Sequence, residues 1–469
     1  MASAADEMIR KHAELICSLP EGCFSKERVR EQLHLRKRSG GTALRSAVAA
    51  NNFAYTASLA DFGHECCKRW PHITPVMEEL GKAPDPETPA LNPEEIHLSP
   101  EKSAQRPDWM IDVDRQRRYI QALPGTEDVL SNTSFITSAG AGGDREDIVK
   151  HQKLFSTADS AFRRKALDTM VDAEARAAKA TGADDVTVMR HLAWWNDTLA
   201  DGRCDWTRVS TANARYRLSP SDLEFAMRRL LRLPIRGLNA GATCGCGDAI
   251  DCYGDHADCC RLLQGQRGKR HDRVNMTSVL APARQACLPA EPEKAHLIED
   301  SNGRPADTYI PYGLEDIFGS RPVCYDVVGV GSAVEQYLAQ ACQGIGGAMN
   351  FGVKRKLRGT RRLDSNKVVV PMPFTSQGAL HANFRTSYEM WATHWATCGE
   401  GRNADAQGAL ARVWMSQASA VVQMAQNRLT RKLVEMLLSI NPGSGDLMRA
   451  LRPIQLHVLE GQGVLGVPS

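Results

Sequence analysis

Five cysteines and one histidine fall within residues 244–260, and no other stretch limits the fold of this chain as sharply. A run of that kind holds a metal, forms disulfides, or leaves thiols bare on a loop. The N-terminal MASAADEMIRKHAEL lacks the apolar core of a signal peptide. No apolar run reaches the roughly 18 residues of a membrane span. The expectation is therefore an intracellular protein without a membrane segment, in a reducing compartment where disulfide frameworks are rare. Metal and bare loop thiols remain, and metal is the expectation because core packing explains a glycine-rich thiol cluster poorly. Zinc takes four thiolate or imidazole ligands in a tetrahedron. Cys244 and Cys246, loosened by Gly245 and Gly247, can place two sulfurs on one ion, and His256 and Cys260 stand one helical turn apart. The expected ligands are Cys244, Cys246, His256 and Cys260, with Cys252 and Cys259 as spare thiols.

A second constellation follows within about a hundred residues. Apolar-rich runs predict strands at Ala306–Ile310, Val323–Val330 and Lys367–Phe374, with a helix over Ala333–Cys342 between the last two. A helix over Val274–Gln285 and a short strand near 290–298 precede them. The order is αβββαβ, that of the restriction-endonuclease-like core. Asp307 opens one strand and Asp326 lies inside the next, where an unpartnered carboxylate is costly. Metal-dependent phosphodiester cleavage needs carboxylates for Mg²⁺ or Mn²⁺ and a cation beside the phosphate. Asp307 and Asp326 are the candidate metal ligands, Lys354 the candidate cation, and Glu291 or Glu293 a further carboxylate. The blander alternative makes Asp307 a strand-edge turn residue and pairs Asp326 with an arginine.

The rest of the chain reads as mostly helical, giving an α+β protein. Residues 1–80 carry helical apolar spacing at Glu27–Gln32 and, after Ser39-Gly40-Gly41, at Ala43–Phe62. Residues 81–144 read as a linker, with six prolines in 81–108. Residues 145–243 read as helices, including Ala161–Ala180 and a helix started by Ser219-Pro220 and ended by Pro234. The zinc knuckle takes 244–268, the restriction-like domain 269–400, and C-terminal helices and tail 401–469. Gly182-Ala183-Asp184-Asp185 resembles a polymerase acidic turn but lies between two helices and reads as a linking turn. Gly329-Val330-Gly331 lacks the third glycine of a dinucleotide loop and reads as the turn after Asp326. His64, Cys66, Cys67 and His72 read as unliganded helix residues.

Several of these segments together resemble the C-terminal region of non-LTR retrotransposon proteins. Leu33-His34-Leu35-Arg36-Lys37-Arg38-Ser39-Gly40-Gly41-Thr42-Ala43-Leu44-Arg45-Ser46 is similar to the family's segment after the polymerase, with Thr42 and Ala43 where the family has leucine and glycine. Leu218–Pro234 is similar to the helix before the family's knuckle. The knuckle pattern is matched by Cys244, Cys246, Gly247, Asp251, Gly254, Asp255, His256 and Cys260. The basic-histidine motif falls on Arg270-His271, the "RPAD" motif on Arg304–Asp307, and the later strand acid on Asp326. Thr375 stands where a late acidic position is expected. The likeness runs over residues 27–440 in the family's order, without the polymerase core. It implies a restriction-like endonuclease that nicks target DNA, with zinc on Cys244, Cys246, His256 and Cys260, a catalytic divalent metal on Asp307 and Asp326, and Lys354 assisting.

Net charge is only +3, so phosphate affinity has to come from local clusters. Residues 354–362 hold six basic side chains in nine: Lys354, Arg355, Lys356, Arg358, Arg361 and Arg362. The last five, with Arg270 and His271, are the expected nucleic-acid contacts; a solvated loop is the alternative. The partners expected are DNA and the element's RNA, in a nucleus if the source is eukaryotic. Two other functions stay open: a catalytically dead nucleic-acid binder, and a zinc-stabilised protein-interaction scaffold.

Overall fold

The computed structural model describes residues 2–36, 39, 41, 42, 44, 69, 145–200, 202, 203, 205–209, 213–294, 297, 306–359, 366–398 and 404–440. The expected linker over 81–144, the residues past 440, and Arg304, Pro305, Arg361 and Arg362 lie outside the described residues. So do His64, Cys66, Cys67 and His72, and all but Leu44 of the helix expected over 43–62. The chain divides into two compact units, Met1–Glu14 with Pro20–Thr181, and Leu15–Leu19 with Gly182–Ser469.

The first unit is helical. It holds most of α1 (Ala2–Ile16), α2 (Glu27–His34) and α3 (Arg145–Ala180). Val29 and Leu33, one helical turn apart on α2, are fully buried, and α2 packs on α3 around buried Leu167 and Val171. Ion pairs flank that contact, Arg28 to Glu174 at 2.8 Å and Arg163 to Glu31 at 2.6 Å.

In the second unit, helix starts follow their capping residues. Asp184 caps α4 (Asp185–Thr198) by accepting from the Thr187 N–H at 2.6 Å, so the Gly182–Asp185 segment is a helix-linking turn. Ser219 caps α5 (Pro220–Leu230) by accepting from the Asp222 N–H at 3.1 Å. Arg232 in the left-handed region (φ 51°) then stops α5 ahead of Pro234.

A small mixed sheet forms the centre of this unit. It is preceded by α6 (Gln264–Asn275), one π turn over Met276–Leu280 and α7 (Ala281–Gln285). Then come β1 (Glu291–Pro292), β2 (Thr308–Ile310), the short α8 (Glu315–Phe318), β3 (Val323–Val330), α9 (Glu335–Cys342), α10 (Gly347–Gly359) and β4 (Val368–Thr375). The strand order is β1-β2-β3-β4. The first two pairings are antiparallel and the last is parallel, with Asp326 beside Pro371. β1 is far shorter than the run expected over 290–298. Pro292 has no N–H for the ladder and Glu293 turns to φ 44°, which ends the strand. β4 is an edge strand, as Pro371 and Pro373 require; their carbonyls accept from Asn383 Nδ2 and the His381 N–H instead.

The two faces of β3 meet different helices. On one face Tyr325 contacts Trp391 of α11 (Ala382–Thr397), and Gly329 lies against the Arg270 side chain of α6. On the other, Val328 and Val330 pack at Gly352 of α10. Strand alternation puts Asp326 on the α10 face. Last, α12 (Ala404–Ile440) carries a buried apolar stripe of Leu429, Leu433 and Val434 onto the 235–263 segment, and a buried polar stripe of Ser419, Gln423, Gln426, Asn427 and Thr430.

Candidate metal centre and acidic pair

The cysteine–histidine segment folds as a tight hairpin followed by a 3-10 turn. Cys244 N–H donates to the Asp248 carbonyl and Gly247 N–H to the Cys244 carbonyl, with Gly247 at φ 94°. That loop turns the Cys244 and Cys246 sulfurs inward. Asp251 builds the next turn: its carboxylate accepts from the backbone N–H groups of Tyr253 (2.8 Å), Asp255 (3.0 Å) and His256 (2.7 Å). Gly254 is needed where it stands. At φ 85° a side chain is strained, and a Cβ would come 2.9 Å from Ile235 Cδ1. The 3-10 turn Asp255–Asp258 then brings round His256 and Cys260.

The ligating atoms of Cys244, Cys246, His256 and Cys260 all lie within 4.8 Å of one another. Cys244 and Cys260 sulfurs are 3.7 Å apart, and Cys246 Sγ is 3.4 Å from His256 Nε2. A tetrahedral ion with Zn–S near 2.3 Å and Zn–N near 2.0 Å has edges of about 3.8 Å between sulfurs and about 3.5 Å between sulfur and nitrogen. The donor set and its spacing fit, and this group could bind a metal such as zinc. Electrostatics agree. Burial lowers His256, favouring the neutral imidazole that a metal needs. Burial pushes the Cys260 thiol up to about 12 and raises Cys246, so a cation is required to hold them as thiolates. With Nε2 toward the ligand group, His256 Nδ1 faces Cys259 Sγ at 3.8 Å. Cys259 is thus an outer neighbour of the histidine and not a ligand.

The acidic pair is assembled over longer range. Asp307 flanks Asp326 from both sides: its N–H donates to the Tyr325 carbonyl at 3.1 Å, and its Oδ2 accepts from the Val327 N–H at 2.6 Å. His271 of α6 approaches the same place. Its Nε2 stands 2.9 Å from the Val327 carbonyl and 3.1 Å from Asp307 Oδ2, and its Nδ1 is 3.3 Å from Asp272. The hydrogen bond to Asp307 raises His271 to about 9 against the opposing effect of burial, making it an imidazolium at neutral pH. Asn275, one turn further along α6, donates to the Asp307 carbonyl at 2.9 Å and accepts from Thr308 Oγ1 at 2.7 Å.

Asp326, only 2 % exposed, is answered from the opposite face of the sheet. Lys356 Nζ of α10 stands 2.9 Å from its Oδ2, a through-space ion pair and not a directed hydrogen bond. The expected cation, Lys354, is exposed instead. Two residues along a helix is a rotation of roughly 200°, so Lys354 and Lys356 cannot face the same group. The arginine partner of the alternative reading is a lysine here.

The remaining predicted residues scatter. Glu291 sits on β1, bonded to Lys294 at 2.6 Å and half exposed. Glu293 donates its backbone N–H to the Asp307 carbonyl. Among the described residues only the cysteine–histidine group brings three or more metal-binding side chains together, so Glu291, Asp307 and Asp326 do not form such a group. Thr375 is buried at the end of β4. Arg270 was expected on a nucleic-acid surface but lies inside, 2.6 Å from buried Asp258, bonded also to Gln426, with its guanidinium over the Phe374 ring. Arg355 and Arg358 are on the exposed side of α10, with Arg355 reaching Gln336 at 2.8 Å. The sequence reading missed Lys356 as the partner of Asp326, it missed Asn275 and Asp258, and it named Asp251 in the knuckle pattern without its role in building the turn. Only Asp251 left a local signal, an Asp two residues before a Tyr-Gly turn.

No protein-family model matches this chain, and a search of curated protein sequences returns no match.

Proposed function

We propose that this chain is a retrotransposon-derived nucleic-acid-binding protein, with a zinc knuckle and a restriction-like DNA endonuclease domain that nicks its target. The observation that carries the reading is the arrangement at β2 and β3. Two aspartates sit side by side on neighbouring antiparallel strands, and a lysine ammonium stands 2.9 Å from the buried one. The sheet order, with three antiparallel strands followed by a parallel fourth across a helical connection, supports the restriction-like assignment.

For Asp307 and Asp326 to share a divalent ion, Mg²⁺ or Mn²⁺, one carboxylate would have to leave its present partner, because Asp307 turns to His271 on the α6 side of the sheet and Asp326 to Lys356 on the α10 side. Bound there, the ion supplies positive charge to the scissile phosphate and acidifies a water. The chain's own groups do the rest. Lys356 balances Asp326 and offers its ammonium to charge developing on the phosphate. His271 and the Val327 peptide fix the Asp307 carboxylate. Lys354, Arg355, Lys356 and Arg358 on α10 give phosphate contacts that align a strand of DNA, or the element's RNA, with the pair.

A specific observation favours a second reading, a catalytically dead binder. Each carboxylate is already neutralised by a protein cation, Asp307 by His271 and Asp326 by Lys356. Supercoiled plasmid incubated with the full chain and Mg²⁺ or Mn²⁺ separates the two. Nicking that disappears in Asp307→Asn and Asp326→Asn, with DNA binding retained, supports the endonuclease. Binding without nicking in the parent chain leaves the binder.

A further inference from the structure

Arg270 and His271 are consecutive on α6, yet they serve different parts of the molecule. Arg270 points into the interior toward the knuckle. Its guanidinium is 2.6 Å from Asp258, and both side chains are almost fully buried, at 6 % and 4 % exposure. Asp258 closes the same 3-10 turn that presents His256, two residues earlier, and it precedes Cys260 by two. Gln426 of α12 accepts from the same guanidinium nitrogen, Nη1, that bonds Asp258, and Phe374 of β4 lies beneath the group. His271 instead reaches β3, bonding the Val327 carbonyl and the Asp307 carboxylate. One helical residue therefore separates an anchor in the knuckle from a contact in the acidic pair.

We propose that Asp258 and Arg270 are positioning residues that couple metal binding at the knuckle to the placement of Asp307. The physical reason is the cost of a broken buried pair. While the four ligands hold a metal, the 255–260 turn is rigid and Asp258 neutralises Arg270. Without the metal the turn loosens, and a guanidinium with almost no solvent access loses its main counter-charge. Moving Arg270 to recover water means moving α6. His271 and Asn275, which hold Asp307 from that helix, move with it. Coupling of this kind is reciprocal, so disturbing Asp307 must also weaken metal binding at the knuckle. The functional weight of the coupling rests on the endonuclease reading, but its existence does not.

Amide hydrogen exchange on the full chain, zinc-loaded and chelator-stripped, reads the coupling without any assay of cleavage. Stripping zinc is expected to raise exchange in peptides covering 244–263, in 264–275 and in β3 over 323–330, where the Val327 N–H bonds Asp307. Helix α2 over 27–34, which belongs to the first unit, should change far less. In zinc-loaded Asp258→Asn, β3 exchange should already be raised, and zinc affinity, measured by chelator competition, should fall measurably, although Asp258 bonds Arg270 and none of the four candidate ligands. Asp307→Asn should weaken zinc binding measurably as well, an effect that a purely local role for Asp258 does not produce. The proposal is overturned if zinc removal raises exchange only within 244–263, if it raises β3 and α2 alike, or if Asp307→Asn leaves zinc affinity unchanged. Should Asp258→Asn fail to fold, the parent chain and Asp307→Asn still decide it. Coupling without plasmid nicking sinks the endonuclease reading alone; nicking without coupling sinks this one alone.

Discussion

The knuckle and the acidic pair are both sets of potential metal ligands in one compact unit, and they are held in different ways. In the cysteine–histidine group, four side chains within 17 residues turn toward one another, with all ligating atoms within 4.8 Å. In the acidic pair, the two carboxylates come from different strands and turn to different helices, Asp307 to His271 on α6 and Asp326 to Lys356 on α10. A cluster of buried thiols has no internal countercharge and needs a cation to be stable as thiolates. A carboxylate with its own protein cation is stable without one. The first is a group that a metal would complete, whereas the second stands as a structural network whether or not a metal joins it.

The largest effect that would sharpen this contrast is at the knuckle. Cys244→Ser combined with His256→Ala should abolish stoichiometric zinc and cost several kcal/mol of stability, because structural zinc contributes directly to folding. Metal analysis and thermal unfolding check it, and a zinc-free parent chain with unchanged melting removes the distinction altogether. The acidic pair comes next. Lys356→Ala leaves Asp326 buried and unpaired, which should cost about 3 kcal/mol, discounted toward 1 kcal/mol because Lys356 is 41 % exposed. Lys354→Ala should be close to neutral by the same denaturant measurement. Equal effects from the two lysines would mean that α10 is not oriented as described.

Smaller effects concern the surface and pH. Each of Arg355→Ala and Arg358→Ala should reduce the slope of log affinity against log salt for DNA by roughly 1. Arg270→Gln should instead reduce stability, since its charge faces Asp258 inside the protein. An unchanged slope in the α10 variants would leave this helix as merely solvated. The pair of His271 with Asp307 adds a pH signature. Because His271 is raised in the folded protein from 6.5 to about 9, its contribution to stability is fully present below pH 6.5 and is lost as pH rises through about 9. His271→Gln should flatten stability across that window, whereas a titration near 6.5 in the folded parent would show that Asp307 does not hold this ring.

Much of the knuckle was legible because its determinants are local. Cys-x-Cys-Gly and His-x-x-x-Cys single out four side chains by spacing alone, and a hairpin followed by a helical turn is enough to bring them together. β3 over Val323–Val330 coincides with its expected run because an eight-residue apolar stretch has few other uses. The helix start at Ser219 was readable for the same local reason, since a capping side chain bonds an N–H three residues away, whereas the 182–185 segment read only as a linking turn and its cap at Asp184 came from the structure. The chemical character of Asp326, a buried acid that must find a partner, also followed from its place in an apolar strand.

Which partner it finds was decided by the tertiary structure. Lys354 and Lys356 are equivalent in a list of basic residues, and only the packing of α10 on the even-numbered face of β3 selects the second. Arg270 looked like part of a phosphate-binding motif until the fold closed around it, with Asp258 from the knuckle and Gln426 from a helix 156 positions away. Local spacing carries information across about one turn of helix or hairpin. Charge pairing in an interior depends on which elements pack together, and that is settled by the burial of all of them at once.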